Sequence, residues 1–113
     1  DEAVEFARQA QTVVVESNYD MDMLMQGPYP YELKMRIVQG CGHLSNDECA
    51  SAIKRFWHPG LRNIFLCHLS ENNNTHEQAY ACSAQALKEL GVAQGAVSLR
   101  CLPRQYPSHL FTL

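Results

Sequence analysis

The chain has 113 residues, enough for one domain and too few for two. Apolar residues make up 46% and charged ones 19%, which excludes a disordered tail, a coiled coil and a collagen-like chain. A formal charge of −3 leaves no global basic field, so any contact with nucleic acid has to be local or supplied by another part of a larger protein.

The first pattern places apolar Ala3, Phe6, Ala7 and Ala10 at helical spacing over Glu2–Gln9. Thr12-Val13-Val14-Val15 follows as a β-branched run that reads as a buried strand ending on Glu16. Asp20–Gln26 predicts a short helix stopped by Gly27-Pro28, and Pro28-Tyr29-Pro30-Tyr31 is extended or turning. Another short helix runs from about Glu32 to Val38, before Gly40-Cys41-Gly42. Ser45-Asn46-Asp47-Glu48 has the spacing of a capping box, with Cys49, Ile53, Phe56 and Trp57 as an apolar stripe that Pro59-Gly60 ends.

Asn63–Cys67 reads as a fully buried strand. Thr75 opens a second capped helix whose stripe is Ala79, Cys82, Ala86, Leu87 and Leu90, with Gly91 where a helix-ending glycine belongs. Val97, Leu99 and Cys101 alternate with polar neighbours, and Leu110–Leu113 is a last short strand. Strands alternating with helices indicate an α/β layer architecture.

Apolar runs such as Thr12–Val15 and Ile64–Cys67 are far shorter than the roughly 20 residues of a membrane-spanning helix. No basic segment precedes an apolar one at the start, so no secretory signal is visible. Five cysteines, Cys41, Cys49, Cys67, Cys82 and Cys101, form no C-x-x-C pair and read as reduced core residues of a cytoplasmic protein. The sequence starts at Asp1 and runs straight into a helical pattern, which raises the expectation of a piece cut from a longer chain.

Chemistry concentrates where strands give way to helices. In open α/β sheets, ligands gather beyond the carboxyl ends of the strands. Glu16 ends one strand, His68 follows another, and His43 lies in a loop entering a helix, so three groups able to bind metal or move protons converge on one rim. Each has a plainer reading: a solvated surface charge for Glu16, a loop hydrogen bond for His43 and a satisfied buried imidazole for His68. His58, His76 and His109 read as surface or structural histidines, and Asn72-Asn73-Asn74 as a polar loop supplying a cap.

The phrases Glu16-Ser17-Asn18-Tyr19-Asp20, Gly27-Pro28-Tyr29-Pro30-Tyr31, Gly42-His43-Leu44-Ser45-Asn46 and His68-Leu69-Ser70-Glu71-Asn72-Asn73-Asn74-Thr75, in this order, resemble the C-terminal part of metallo-β-lactamase-fold hydrolases. Within that fold the phrases resemble the bacterial YycJ-like (WalJ) group, implicated in DNA exonuclease activity, and more distantly RNase Z and RNase J. The resemblance covers residues 1–113 and implies the second half of a four-layer αββα sandwich. It makes His68 a metal ligand, and Glu16 and His43 the pair that nuclease members set beside the scissile phosphate. Two divalent ions, zinc or manganese, would supply the nucleophile and stabilise charge on phosphorus.

The motif His-x-His-x-Asp-His, which holds most of the metal in that family, is absent from these 113 residues, and one histidine does not make a dinuclear site. The expectation is a fragment of a phosphodiesterase acting on DNA, with little or no metal affinity or activity by itself. Its partners would be the missing N-terminal half and, in isolation, further copies of itself. A small-molecule hydrolase on the same fold and a non-catalytic self-associating module are the alternatives.

Overall fold

Three short strands, β1 (Thr12–Glu16), β2 (Asn63–Cys67) and β3 (Ser98–Cys101), form one parallel sheet in the order β1-β2-β3. The computed structural model describes residues 2–28, 30–40 and 43–103. Parallel neighbours need long crossovers, and the chain supplies them as helices. Between β1 and β2 run α2 (Met21–Gln26), α3 (Tyr31–Gly40) and α4 (Asn46–Phe56), and between β2 and β3 runs α5 (His76–Glu89). The short α1 (Glu2–Ala7) precedes β1. The α/β architecture expected from the sequence is therefore present.

Register puts Val13 beside Ile64 and Leu99, and Val15 beside Leu66 and Cys101, so these side chains share one face. Ile64 and Leu66 are fully buried there beneath Cys49, Ile53 and Phe56 of α4 and Ala79, Ala86 and Leu87 of α5. Each large aliphatic chain in this cluster contributes about 1.5–3 kcal/mol by leaving water. The two helices also pack on each other, which brings Cys82 of α5 near Asp47 of α4, the thiol donating to Oδ1 at 3.4 Å.

The capping box is formed as its spacing predicts. Ser45 Oγ accepts from the Glu48 amide at 3.1 Å, and Glu48 Oε1 accepts from the Ser45 amide at 2.9 Å. Thr75 caps α5 without the reciprocal bond, its Oγ1 accepting from the Gln78 amide at 3.0 Å, and Gly91 takes the left-handed conformation (φ 79°) just past its end.

Several expectations are corrected. The Thr12–Val15 run is not a buried strand: β1 lies at the sheet edge, pairs only with β2 among the described residues, and leaves Val14 38% exposed. On α1 the core side is Val4 and Ala7, while Phe6 points outward at 75% exposure. Leu90 is exposed, and Ser83 takes an inner position on α5 instead. Cys49 and Cys67 are buried, whereas Cys82 and Cys101 are half-buried. Cys41, His109 and the strand expected at Leu110–Leu113 lie outside the described residues.

No helix among the described residues is long and apolar enough to cross a membrane.

Candidate active site

Glu16 ends β1 level with Cys67 of β2, so the next residue of β2's chain, His68, emerges beside it at the carboxyl edge of the sheet. His43 reaches the same edge from the loop entering α4. Glu16 Oε2 lies 3.1 Å from Nδ1 of His68 and 3.1 Å from Nδ1 of His43, whose Nδ1 is also 3.2 Å from Oε1. The Leu44 amide donates to Oε1 at 2.7 Å. Three residues separated by as many as 52 positions are thus gathered on one carboxylate.

A carboxylate only accepts, so both imidazoles present an Nδ1–H to Glu16. That leaves Nε2 of each ring as the nitrogen not engaged by the carboxylate. The Glu16 side chain is 16% exposed, against 47% for His43 and 62% for His68, so a shielded anion holds two open imidazoles.

The loops that carry these groups are laced together by backbone hydrogen bonds. The Asn18 amide donates to the Leu44 carbonyl at 2.8 Å, the Asn46 amide to the Tyr19 carbonyl at 2.8 Å, and the Ser70 amide to the Asn18 carbonyl at 2.7 Å. Beneath them lies a buried polar cluster of Ser17, Asn46 and Asn74. Ser17 Oγ donates to Asn46 Oδ1 at 2.6 Å, and Asn74 Nδ2 donates to the Ser17 carbonyl at 2.9 Å. Asn74 Oδ1 also accepts from the Thr75 amide at 2.9 Å.

The hydroxyl of Tyr19, whose side chain is buried in the same layer, has its pKa raised by burial and secondarily by the charge of Glu48.

Sequence reasoning brings Glu16, His43 and His68 to one rim, and the structure does the same. It missed the layer below. Asn46 and Asn74 each stand next to a helix cap, Ser45 and Thr75, and nothing else in the sequence marks them out from other cap-adjacent asparagines. His58 is structural: it is half-buried, with Nε2 donating to the Ala10 carbonyl at 2.6 Å and Nδ1 accepting from the Gly60 amide at 3.0 Å. His76 is exposed in the first turn of α5.

For a metal, the fit is partial. A histidine whose Nδ1 is held by a carboxylate offers Nε2 in the arrangement common around metal sites, which suits His68 as a ligand backed by Glu16. Among the described residues, no group of three or more His, Cys, Asp or Glu side chains could hold an ion by itself.

Comparison with known proteins adds kinship to this geometry. The chain is 38% identical over 86 residues to the exodeoxyribonuclease YycJ of Bacillus anthracis, a match covering 76% of this chain and 33% of the relative. It is 35% identical over 82 residues to the exodeoxyribonuclease WalJ of Streptococcus pneumoniae, covering 73% of this chain and 30% of that protein. The chain therefore spans about a third of the length of the curated relatives it matches. No family model and no solved structure matches it.

Proposed function

We propose, on the premise that this chain is a homologue of the YycJ/WalJ exodeoxyribonucleases, that it is the C-terminal segment of a metal-dependent phosphodiesterase acting on DNA. The observation that carries the reading is the single Glu16 carboxylate facing Nδ1 of both His43 and His68. Simple surface charges do not need one shielded anion shared by two imidazoles from separate loops.

In this reading His43 contacts the scissile phosphate through Nε2. As its imidazolium it donates a proton to the departing ester oxygen, and Glu16 steadies the ring and balances its charge. His68 presents Nε2 as one metal ligand, its ring direction set by the same carboxylate. Divalent ions, when bound, supply Lewis acidity at the phosphoryl oxygen and make attacking water more acidic. The other ligands come from the missing half of an αββα sandwich, which would stack on the far side of this sheet. The isolated segment is accordingly inactive and binds zinc or manganese weakly.

The test uses the complete parent protein assayed on DNA and, in parallel, on a panel of esters and lactones. Glu16→Gln, His43→Ala and His68→Ala should each lower DNA hydrolysis by about 10²-fold or more, the usual range for losing a proton-transfer group. His68→Ala alone should also reduce bound metal after desalting. Full DNA cleavage by the His43→Ala protein, or turnover of the small esters in preference to DNA, refutes the proposal.

A further inference from the structure

His68 is the one residue other than glycine with a positive φ among the described residues, at 55°. Left-handed backbone is uncommon for a residue with a side chain and persists where its surroundings hold it. Here the holding group is visible. Asn18 Nδ2 donates to the His68 carbonyl at 2.7 Å, and the Asn18 carbonyl accepts from the Ser70 amide at 2.7 Å, so Asn18 grips the chain on both sides of Leu69. Its own amide is tied to the Leu44 carbonyl, one residue beyond His43. Asn18 stands two residues after Glu16, and so its backbone and side chain join the strand of the carboxylate to both histidine loops.

We infer that Asn18 is a positioning residue which, by holding His68 in the left-handed conformation, aims its Nδ1 at Glu16 and its Nε2 away from it. The inference rests on reading the Glu16, His43 and His68 group as an active site. A carbonyl can only accept, so position 18 requires a donor. Aspartate, of the same size, sets an oxygen against the His68 carbonyl and releases it; alanine leaves it unbound. Once the turn relaxes, the imidazole no longer meets Glu16. His43, whose approach to Glu16 comes from another loop, stays in place.

The experiment is long-range 1H–15N correlation of the imidazoles in the 113-residue chain at about pH 8, where a free histidine is neutral. In the unaltered chain His43 and His68 should show the Nδ1–H tautomer, and His58, held by Ala10 and Gly60, the Nε2–H tautomer. In both Asn18→Ala and Asn18→Asp, His68 should lose its Nδ1–H preference while His43 and His58 keep theirs.

An unchanged His68 in both variants overturns the inference. So does a simultaneous loss at His43 and His58, which would make Asn18 a general support of the fold. Absence of the Nδ1–H form from His43 and His68 in the unaltered chain would instead strike at the proposed active site, so the two failures are told apart. If the alanine variant does not fold, the isosteric aspartate variant decides.

Discussion

Asn46 and Asn74 face each other as paired amides in the interior: Asn46 Nδ2 donates to Asn74 Oδ1 at 2.9 Å, and Asn74 Nδ2 donates to Asn46 Oδ1 at 2.9 Å. One amide precedes the cap of α5, and the other begins α4 behind its own cap. Their reciprocal contact fixes the two helix entrances relative to each other, with Ser17 joining the strand that carries Glu16.

Replacing Asn74 by leucine keeps the branched shape, with a somewhat larger volume, and removes every hydrogen-bonding group. The Ser17 carbonyl, the Thr75 amide and Asn46 Nδ2 then lose their hydrogen bonds to Asn74 in a buried setting. Orphaned buried groups cost about 1–3 kcal/mol each, and partial rehydration brings the expected total to about 3 kcal/mol. Urea unfolding of the variant measures this directly. A loss under 1 kcal/mol would mean that the pair is not structural.

The capping box of α4 predicts a smaller effect. Ser45→Ala should cost about 1 kcal/mol and Ser45→Thr less, because threonine keeps a hydroxyl that accepts from the amide of Glu48. Equal losses in the two variants, read from thermal midpoints, would contradict a capping role.

Cys82 is half-buried yet expected to be inert. Burial pushes its thiol up from 9.0 to about 12, and the nearby Asp47 adds to the shift. Thiolate is the attacking form, so alkylation by iodoacetamide near neutral pH should run about 10²-fold slower than for a free thiol, some of the scarcity being offset by greater nucleophilicity. Asp47→Asn should accelerate it. The sign for stability follows from proton binding: the folded state holds the thiol proton more tightly than the unfolded state. This contribution is present below about pH 9 and lost as pH rises toward 12. Rapid labelling of Cys82 in the folded chain would refute the environment described.

Association is the next expectation. β1 has one side without a strand partner among the described residues, Val14 is 38% exposed on the face opposite the helices, and Phe65 on that face is half-buried. Open edges and apolar faces favour self-pairing. Sedimentation velocity over a concentration series should show dimers or larger species growing with concentration. A monomer throughout would mean that this segment stands alone as a domain, and the half-sandwich reading would fall.

The legible parts of the fold were those with local signatures. The Ser45 and Glu48 spacing marked α4, Thr75 and Gly91 bracketed α5, and the apolar run of β2 stood out. Glu16 and His68 could be placed on one rim because strand ends in a parallel sheet share an edge. β1 is legible as a strand but its burial is not, because a run of valines does not tell a sheet edge from its centre; that depends on which strands lie beside it. The Ser17, Asn46 and Asn74 cluster was hidden for a related reason. An asparagine satisfied by another 28 residues away looks in sequence like any loop asparagine.

The strand order also sets when the site can form. β2, α5 and β3 are consecutive, so this unit closes through one helix crossover. Pairing β1 with β2 must close a longer stretch, with Val13 and Ile64 standing 51 residues apart against 35 for Ile64 and Leu99. Longer closures are entropically dearer and come later. Folding should therefore begin in the β2–α5–β3 unit and admit β1 afterwards. Mutations such as Leu66→Ala and Ala86→Gly should slow refolding, whereas Val13→Ala should chiefly speed unfolding. The chemistry gathered on Glu16 would then be among the last features to appear as the chain folds and among the first to be lost as it unfolds.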